Sequence, residues 1–278
     1  LFSKVHEKMG IKFIYVDTSD VNNVAAAMTD KTKLIWVETP TNPLMNITDI
    51  EAVSAIGKKH NCIICVDNTF ASPYLQNPLD QGATIVMHSA TKYLGGHSDV
   101  IQGCLMLNDQ TLRDQLYFIQ KSTGAVPGPQ DCFLVLRGIK TLHVRMQRHC
   151  ENGIKVANYL RQHPKVEKVY WCGFEDHPNH AIAKKQMSGF GGMVTFTFKS
   201  GKKEDAIKFL EESLKYARKS RDEARVHFIL GQLYEDKGSN QEASEHYAKV
   251  LKKNALFQMS FNARLKKSFL GNSAKKKK

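Results

Sequence analysis

Lys92 stands in the stretch HSATKYLGGHSD (His88–Asp99), between two hydroxyl residues, Ser89 and Thr91, and a glycine pair, Gly95 and Gly96. An amine held where burial strips its proton attacks a carbonyl and forms a Schiff base. The two hydroxyls just before the lysine offer donors to a phosphate. Carboxylates close three other apolar runs: Asp17 after FIYV, Glu38 after LIWV and Asp67 after IICV. A carboxylate in such a place can keep a ring nitrogen protonated. Taken singly, each residue has an ordinary reading, since an Asp after a strand often only caps a turn and a lone lysine is usually solvated. Their joint placement carries the argument.

That placement follows from the elements. KFIYVD, KLIWVE, IICVD, TIVMHSA and VIQGCLML are short runs rich in β-branched and aromatic residues, and stretches such as VNNVAAAMTD and ITDIEAVSAIGKKH between them favour helix. Strands apolar on both faces and alternating with helices predict an α/β fold, a mostly parallel sheet in three layers. Ligands of such sheets bind beyond the carboxyl ends of the strands. A lysine, a carboxylate and phosphate-binding hydroxyls gathered there meet the needs of pyridoxal 5′-phosphate (PLP): a covalent tether, a partner for the pyridine nitrogen and an anion anchor.

Four segments extend the pattern. ETPTNP (Glu38–Pro43), VDNTFASPYLQNPLDQGA (Val66–Ala83), HSATKYLGGHSDVIQG (His88–Gly103) and RGIKTLHVRM (Arg137–Met146) resemble, in order and spacing, the Cys/Met-metabolism family of PLP-dependent enzymes. The likeness is nearest to the cystathionine γ-lyase branch, with the cystathionine γ-synthases and methionine γ-lyases beside it, and runs from residue 1 to about residue 200. It implies the PLP-dependent transferase (aspartate aminotransferase-like) fold in truncated form. It also implies that Lys92 is the catalytic, cofactor-bearing lysine and that Asp67 partners the pyridine nitrogen. By the same likeness Ser89 and Thr91 contact the phosphate, and Asn42 of TNP lies beside the pyridoxal hydroxyl. One departure is Thr84, where the family usually has an acid eight positions before the lysine; it falls at the start of its strand, away from the chemistry.

The resemblance further implies a carbon–sulfur lyase of transsulfuration, splitting cystathionine by γ-elimination into cysteine, 2-oxobutanoate and ammonia, with the released Lys92 amine moving protons at the α and β carbons. The γ-synthase and methionine γ-lyase reactions are the alternatives. Family members take a phosphate-binding glycine turn and an aromatic ring over the cofactor from segments upstream of residue 1. They take a tyrosine and an arginine from a neighbouring subunit of a homotetramer, and a substrate-carboxylate arginine from a small C-terminal domain. On this reading the chain is cut from a longer one. A small amino acid is the substrate, and a homo-oligomer is expected if assembly survives truncation.

Composition sets the bounds. Hydrophobic residues are 42%, aromatics 9% and charged residues 24% of 278, the profile of a globular chain rather than a disordered one. No apolar run reaches the roughly 20 residues of a membrane helix, so no membrane partner is expected. Most of the net charge of +13 lies after residue 200 and in the lysines 275–278. It comes without interleaved aromatics or a zinc pattern, so it reads as a solvated face and no nucleic-acid partner is expected. The six cysteines have no regular spacing. Cys62 and Cys65 lie in an apparent strand that points them to opposite faces, so they read as core residues, with no metal, in a reducing cytoplasm.

After Ser200 the pattern changes to short amphipathic helices with polar turns, an α-helical hairpin region. His227, Leu230, Gly231 and Tyr234, then Ala243 and Tyr247, follow the tetratricopeptide spacing, with His227 in place of Trp, Tyr247 of Phe and Ala255 of Pro. An ordinary hairpin fits as well. The expected domains are a partial PLP-binding domain over 1–130, a linking helix and the start of a small domain over 131–200, and a tetratricopeptide-like tail over 201–278. If the lyase part is inert, this tail binds a protein partner. Residues 131–160 read as one long helix with Gly138 and Gly153 as kinks.

Overall fold

The computed structural model describes the backbone of residues 2, 4–253 and 255–275 and the side chains as far as Leu270, so the side chains of the lysine run 275–278 lie outside what is described. Two compact units divide the chain, one of residues 1–164 and 169–196, the other of residues 165–168 and 197–278.

In the first unit, α1 (Val21–Ala27) starts where the Asp20 side chain accepts from the Asn22 N–H, and leads to β1 (Leu34–Glu38). The cap is repeated at α2 (Ile50–Lys59), where Asp49 accepts from the Ala52 N–H, satisfying a donor that a helix start leaves open. Then come β2 (Ile63–Asp67), the single turn α3 (Ser72–Leu75), β3 (Ile85–Ser89) and β4 (Gly103–Met106). The sheet order is β1-β2-β3-β4, the first three parallel and β4 antiparallel to β3.

Ile35 and Val37 of β1 and Ile64 and Val66 of β2 pack with Ile50 and Val53 of α2 in one core. Each such side chain contributes about 1.5–3 kcal/mol through burial. A second core gathers residues of the loops beyond the strands, among them Ala90, Leu94 and Val100, with Leu142 and Met146. The middle strands are buried on both faces, as expected. At β1 only one face is: Leu34 and Trp36 remain 49% and 42% exposed. Residues 12–17, expected as a further strand, form none, and Ile14 and Tyr15 are exposed there.

Three helices follow: α4 (Gln110–Thr123), α5 (Pro129–Ile139) and α6 (Leu142–Gln162). The single long helix expected over 131–160 is therefore interrupted at Lys140 and Thr141. α6 is continuous through Gly153, which lets the helix approach Gly191, whose carbonyl oxygen would lie 2.4 Å from an added Cβ. β5 (Val166–Tyr170), α7 (His180–Gln186) and β6 (Thr195–Phe198) come next, β5 and β6 forming a two-stranded sheet.

Beyond its parts of β5 and β6, the second unit holds the helices α8 (Lys203–Ser213), α9 (Ser220–Asp236), α10 (Asn240–Leu251) and α11 (Phe257–Lys275). Gly231 of α9 faces the Tyr247 ring of α10, which would lie 2.7 Å from an added Cβ, and Tyr247 is fully buried with its hydroxyl donating to Glu235 at 2.7 Å. His227 and His246 meet between the same helices, Nδ1 to Nδ1 at 3.1 Å.

Candidate active site

The parallel register sets Glu38 beside Asp67 and Asp67 beside Met87, so two carboxylates end adjacent strands while β3 runs on to Ser89. Asp67 Oδ1 accepts from the Thr69 N–H at 3.0 Å and from the Thr69 hydroxyl at 2.5 Å. The same hydroxyl oxygen accepts from the Ser89 N–H at 2.9 Å. Asp67 and Ser89 are therefore joined through one buried threonine. Among the described residues, Asp67 Oδ2 and the Ser89 hydroxyl receive no hydrogen bond, and both are available to a ligand.

Lys92 sits on the turn that follows β3. Its N–H donates to the Ser89 carbonyl at 3.0 Å, its own carbonyl accepts from Gly96 at 2.7 Å, and Gly95 donates to Ala90 at 2.7 Å. A Cβ on Gly95 would lie 2.8 Å from the Ala90 carbonyl oxygen, so the turn closes only with glycine there. From outside, Gly138 of α5 brings its backbone against the same turn, with an added Cβ only 2.3 Å from the Gly95 oxygen. Arg145 of α6 completes the clamp, donating to the Tyr93 carbonyl and the Gly138 carbonyl, both at 2.8 Å. The Lys92 side chain is exposed and makes no ion pair or hydrogen bond among the described residues. The desolvation expected at this strand end is not supplied by them, because the turn carries the lysine out past the sheet.

The other expected residues divide. Thr91 turns its hydroxyl to the loop after the motif, accepting from the Gln102 N–H at 3.0 Å and donating to the Gln102 carbonyl at 3.3 Å, which leaves one lone pair. Asn42 is exposed, and its N–H donates to Glu38 Oε1 at 2.9 Å, which fixes it next to the Glu38–Asp67 pair. Burial raises the Glu38 carboxyl above its ordinary range, the Asn42 bond opposes this, and the neighbouring Asp67 charge adds to it. Asp17 lies off the sheet, its carboxyl bonded to Ser19 and lowered by those bonds. Thr84 precedes β3, at the end of the strand opposite the site, where its hydroxyl accepts from the Ile64 N–H at 3.1 Å.

Three groups escaped the sequence reading. His88 is buried on β3, between Asp67's strand and β4, its Nε2 has no partner among the described residues, and burial pushes its pKa down to about 4 against a smaller opposing pull from Asp67. Thr69 is the link already described, signalled only by an Asp-x-Thr after a strand. Gln76 is the third: its amide donates to the Thr39 carbonyl at 3.2 Å and Asn68 Oδ1 at 2.9 Å and accepts from Gln186 at 3.1 Å. It thereby ties the loop after β1 to the loop after β2. Among the described residues no group of three His, Cys, Asp or Glu side chains is placed to hold a metal ion, and no helix is long and apolar enough to cross a membrane.

An unengaged carboxylate oxygen, a free hydroxyl on the next strand and an uncommitted amine on the following turn fit an aldehyde cofactor with a basic ring nitrogen and an anionic arm. Comparison with known proteins agrees. The profile of the Cys/Met metabolism PLP-dependent enzymes matches residues 1–220. A cystathionine gamma-lyase of Dictyostelium discoideum is 51% identical over 210 residues, 76% of this chain and 54% of that protein. A cystathionine beta-lyase of Lactococcus lactis subsp. cremoris is 50% identical over 216 residues, 78% of this chain and 56% of that protein. The crystal structure of metB from Corynebacterium glutamicum superposes with a TM-score of 0.73 at 50% identity, covering 75% of this chain and 54% of that one. That of cystathionine gamma-lyase from Lactobacillus plantarum complexed with L-serine gives 0.73 at 45% identity, covering 74% and 55%. The chain thus spans about half the length of the relatives it matches, with a PLP-dependent transferase-like fold over that span. The chain belongs to the Cys/Met metabolism PLP-dependent enzyme family.

Proposed function

We propose that this chain carries the cofactor-binding half of a carbon–sulfur lyase site in which Lys92 tethers PLP and Asp67 Oδ2 holds a proton at the pyridine nitrogen. The Ser89 hydroxyl takes the phosphate, the Thr91 hydroxyl joins it by turning its proton from the Gln102 carbonyl, and Asn42 lies beside the ring hydroxyl. When bound, the cofactor supplies an electron sink for negative charge at the substrate α carbon. The Lys92 amine moves protons at the α and β carbons. The net reaction is γ-elimination: the γ carbon–sulfur bond of cystathionine breaks, the thiol leaves as cysteine, and water releases 2-oxobutanoate and ammonia. γ-Replacement and methionine cleavage are alternatives on the same residues. The observation that carries the reading is the chain of contacts from Asp67 through Thr69 to Ser89 and on to the Lys92 turn.

The test is an absorbance spectrum after PLP is added and the excess removed, followed by borohydride reduction and peptide mapping, with Lys92→Ala in parallel. A yellow protein labelled at Lys92, and no label in the variant, is expected; equal labelling of both proteins would rule the assignment out. Cystathionine, methionine and O-substituted homoserines assayed on the loaded protein then distinguish the reactions.

A second reading rests on α11. Phe257, Phe261, Leu265 and Phe269 recur every four residues and are 86%, 55%, 45% and 64% exposed, an apolar stripe on the helical unit. In this reading the lyase part is inert and the tetratricopeptide-like tail takes a protein partner. A chain that neither binds PLP nor turns over substrate, yet whose partner capture is lost on Phe261→Ser, would favour it.

A further inference from the structure

Thr69 is placed between the two halves of the candidate site. It is buried, 9% exposed, two residues past the end of β2, and touches both Asp67 and Ser89. The direction of its bonds is determined. The Ser89 N–H is a donor only, so the Thr69 oxygen accepts there, and its single hydroxyl proton goes to Asp67 Oδ1. The Thr69 N–H donates to the same oxygen. Two donors thus pin Oδ1, and the rotation of the carboxylate about its Cβ–Cγ bond is fixed, with Oδ2 turned free of the clasp. Because the second bond of the hydroxyl is to the backbone of Ser89, whose carbonyl in turn accepts from Lys92 N–H, any shift of the lysine turn is transmitted to the carboxylate.

We propose that Thr69 is a positioning residue that acts through Asp67 on the ring nitrogen of the bound cofactor, and that keeps this contact in register with the Lys92 turn. The inference rests on the reading of the site as a PLP site. Valine matches threonine in shape but removes the hydroxyl. It leaves Oδ1 with the Thr69-position N–H alone and the Ser89 N–H without an acceptor. Serine keeps both bonds.

The experiment measures dissociation constants of PLP and of its analogue with carbon in place of the ring nitrogen, by fluorescence titration of the full chain, for wild type, Thr69→Val and Thr69→Ser. Thermal unfolding followed by tryptophan fluorescence accompanies each variant. PLP should bind about tenfold or more weakly to Thr69→Val, and within about twofold of wild type to Thr69→Ser. The carbon analogue, which has no nitrogen for Asp67 to hold, should bind wild type and Thr69→Val alike. Equal PLP affinity in all three proteins, an equal loss for both ligands, or a serine variant as weak as the valine one would overturn the assignment while leaving the site standing. A wild type that takes up neither ligand would overturn the site and this role together.

Discussion

Acid should loosen the first unit through His88. This imidazole is 1% exposed, with Nε2 unpartnered among the described residues, and burial depresses its pKa from 6.5 to about 4. In the unfolded chain the ring takes a proton near pH 6.5; in the folded protein it resists until about 4. The contribution to stability is therefore complete above pH 6.5 and is lost as pH falls through the window from 6.5 to 4. At 1.36 kcal/mol per pKa unit the whole window amounts to about 3 kcal/mol, of which about 2 kcal/mol has gone by pH 5. Both tryptophans, Trp36 and Trp171, lie in the first unit, so their fluorescence reports its unfolding alone. Urea titrations at pH 7.5 and pH 5 of wild type and His88→Leu supply the comparison. Leucine fills the space and does not titrate, while the other histidines contribute equally to both proteins and cancel. The wild type should lose about 2 kcal/mol more than the variant between the two pH values. Parallel losses would show that the ring is not held neutral by the fold, and the account of the strand-end environment would fail with it.

Gln76→Leu removes one amide from a buried set, leaving Asn68 Oδ1, the Thr39 carbonyl and the Gln186 amide each without the bond it had. At about 1–3 kcal/mol for each stranded group, a loss of about 3 kcal/mol or more is expected in the same urea assay; a change under about 1 kcal/mol would deny the amide its bridging role. The cysteines should separate by burial: Cys65 and Cys172 are buried and pushed up to about 12, whereas Cys132 is partly exposed. Alkylation of the native protein at pH 8 should reach Cys132 well before either of them, and early modification of Cys65 would contradict the packing.

The legible parts of the sequence were those where type and place coincide. Asp67 and Lys92 close two apolar runs, and once the runs are strands in parallel register the residues must share an edge. Alternation of strand and helix was enough for the α/β class, and β2 and β3 lie within the segments read for them. Other features depend on partners the sequence does not name. Residues 12–17 have the composition of a strand and take no place in a sheet among the described residues. The break at Lys140 and Thr141 follows from Gly138 closing on Gly95, a contact across more than forty residues of chain. Thr91 reads as a phosphate donor, and the sequence gives no sign that its hydroxyl also bonds Gln102. Gln76 gives no signal, because a glutamine earns its place only from the carbonyls and amides folded around it.

The order of the strands in space is their order along the chain: Leu34 faces Ile63, Cys65 faces Ile85, and Val86 faces Met106. Among these four strands none waits for a later one to be inserted between it and its neighbour. Synthesis from the N-terminal end can therefore build the sheet by accretion, each new strand docking on an edge already made, with α2 covering the first pair before β3 exists. Ribosome-stalled chains of increasing length should gain protease resistance in successive steps as β2, β3 and β4 emerge, and a single late step would contradict it. The strand that ends in Asp67 would then be in place before the Lys92 turn is translated, so that the lysine is delivered to a carboxylate already waiting.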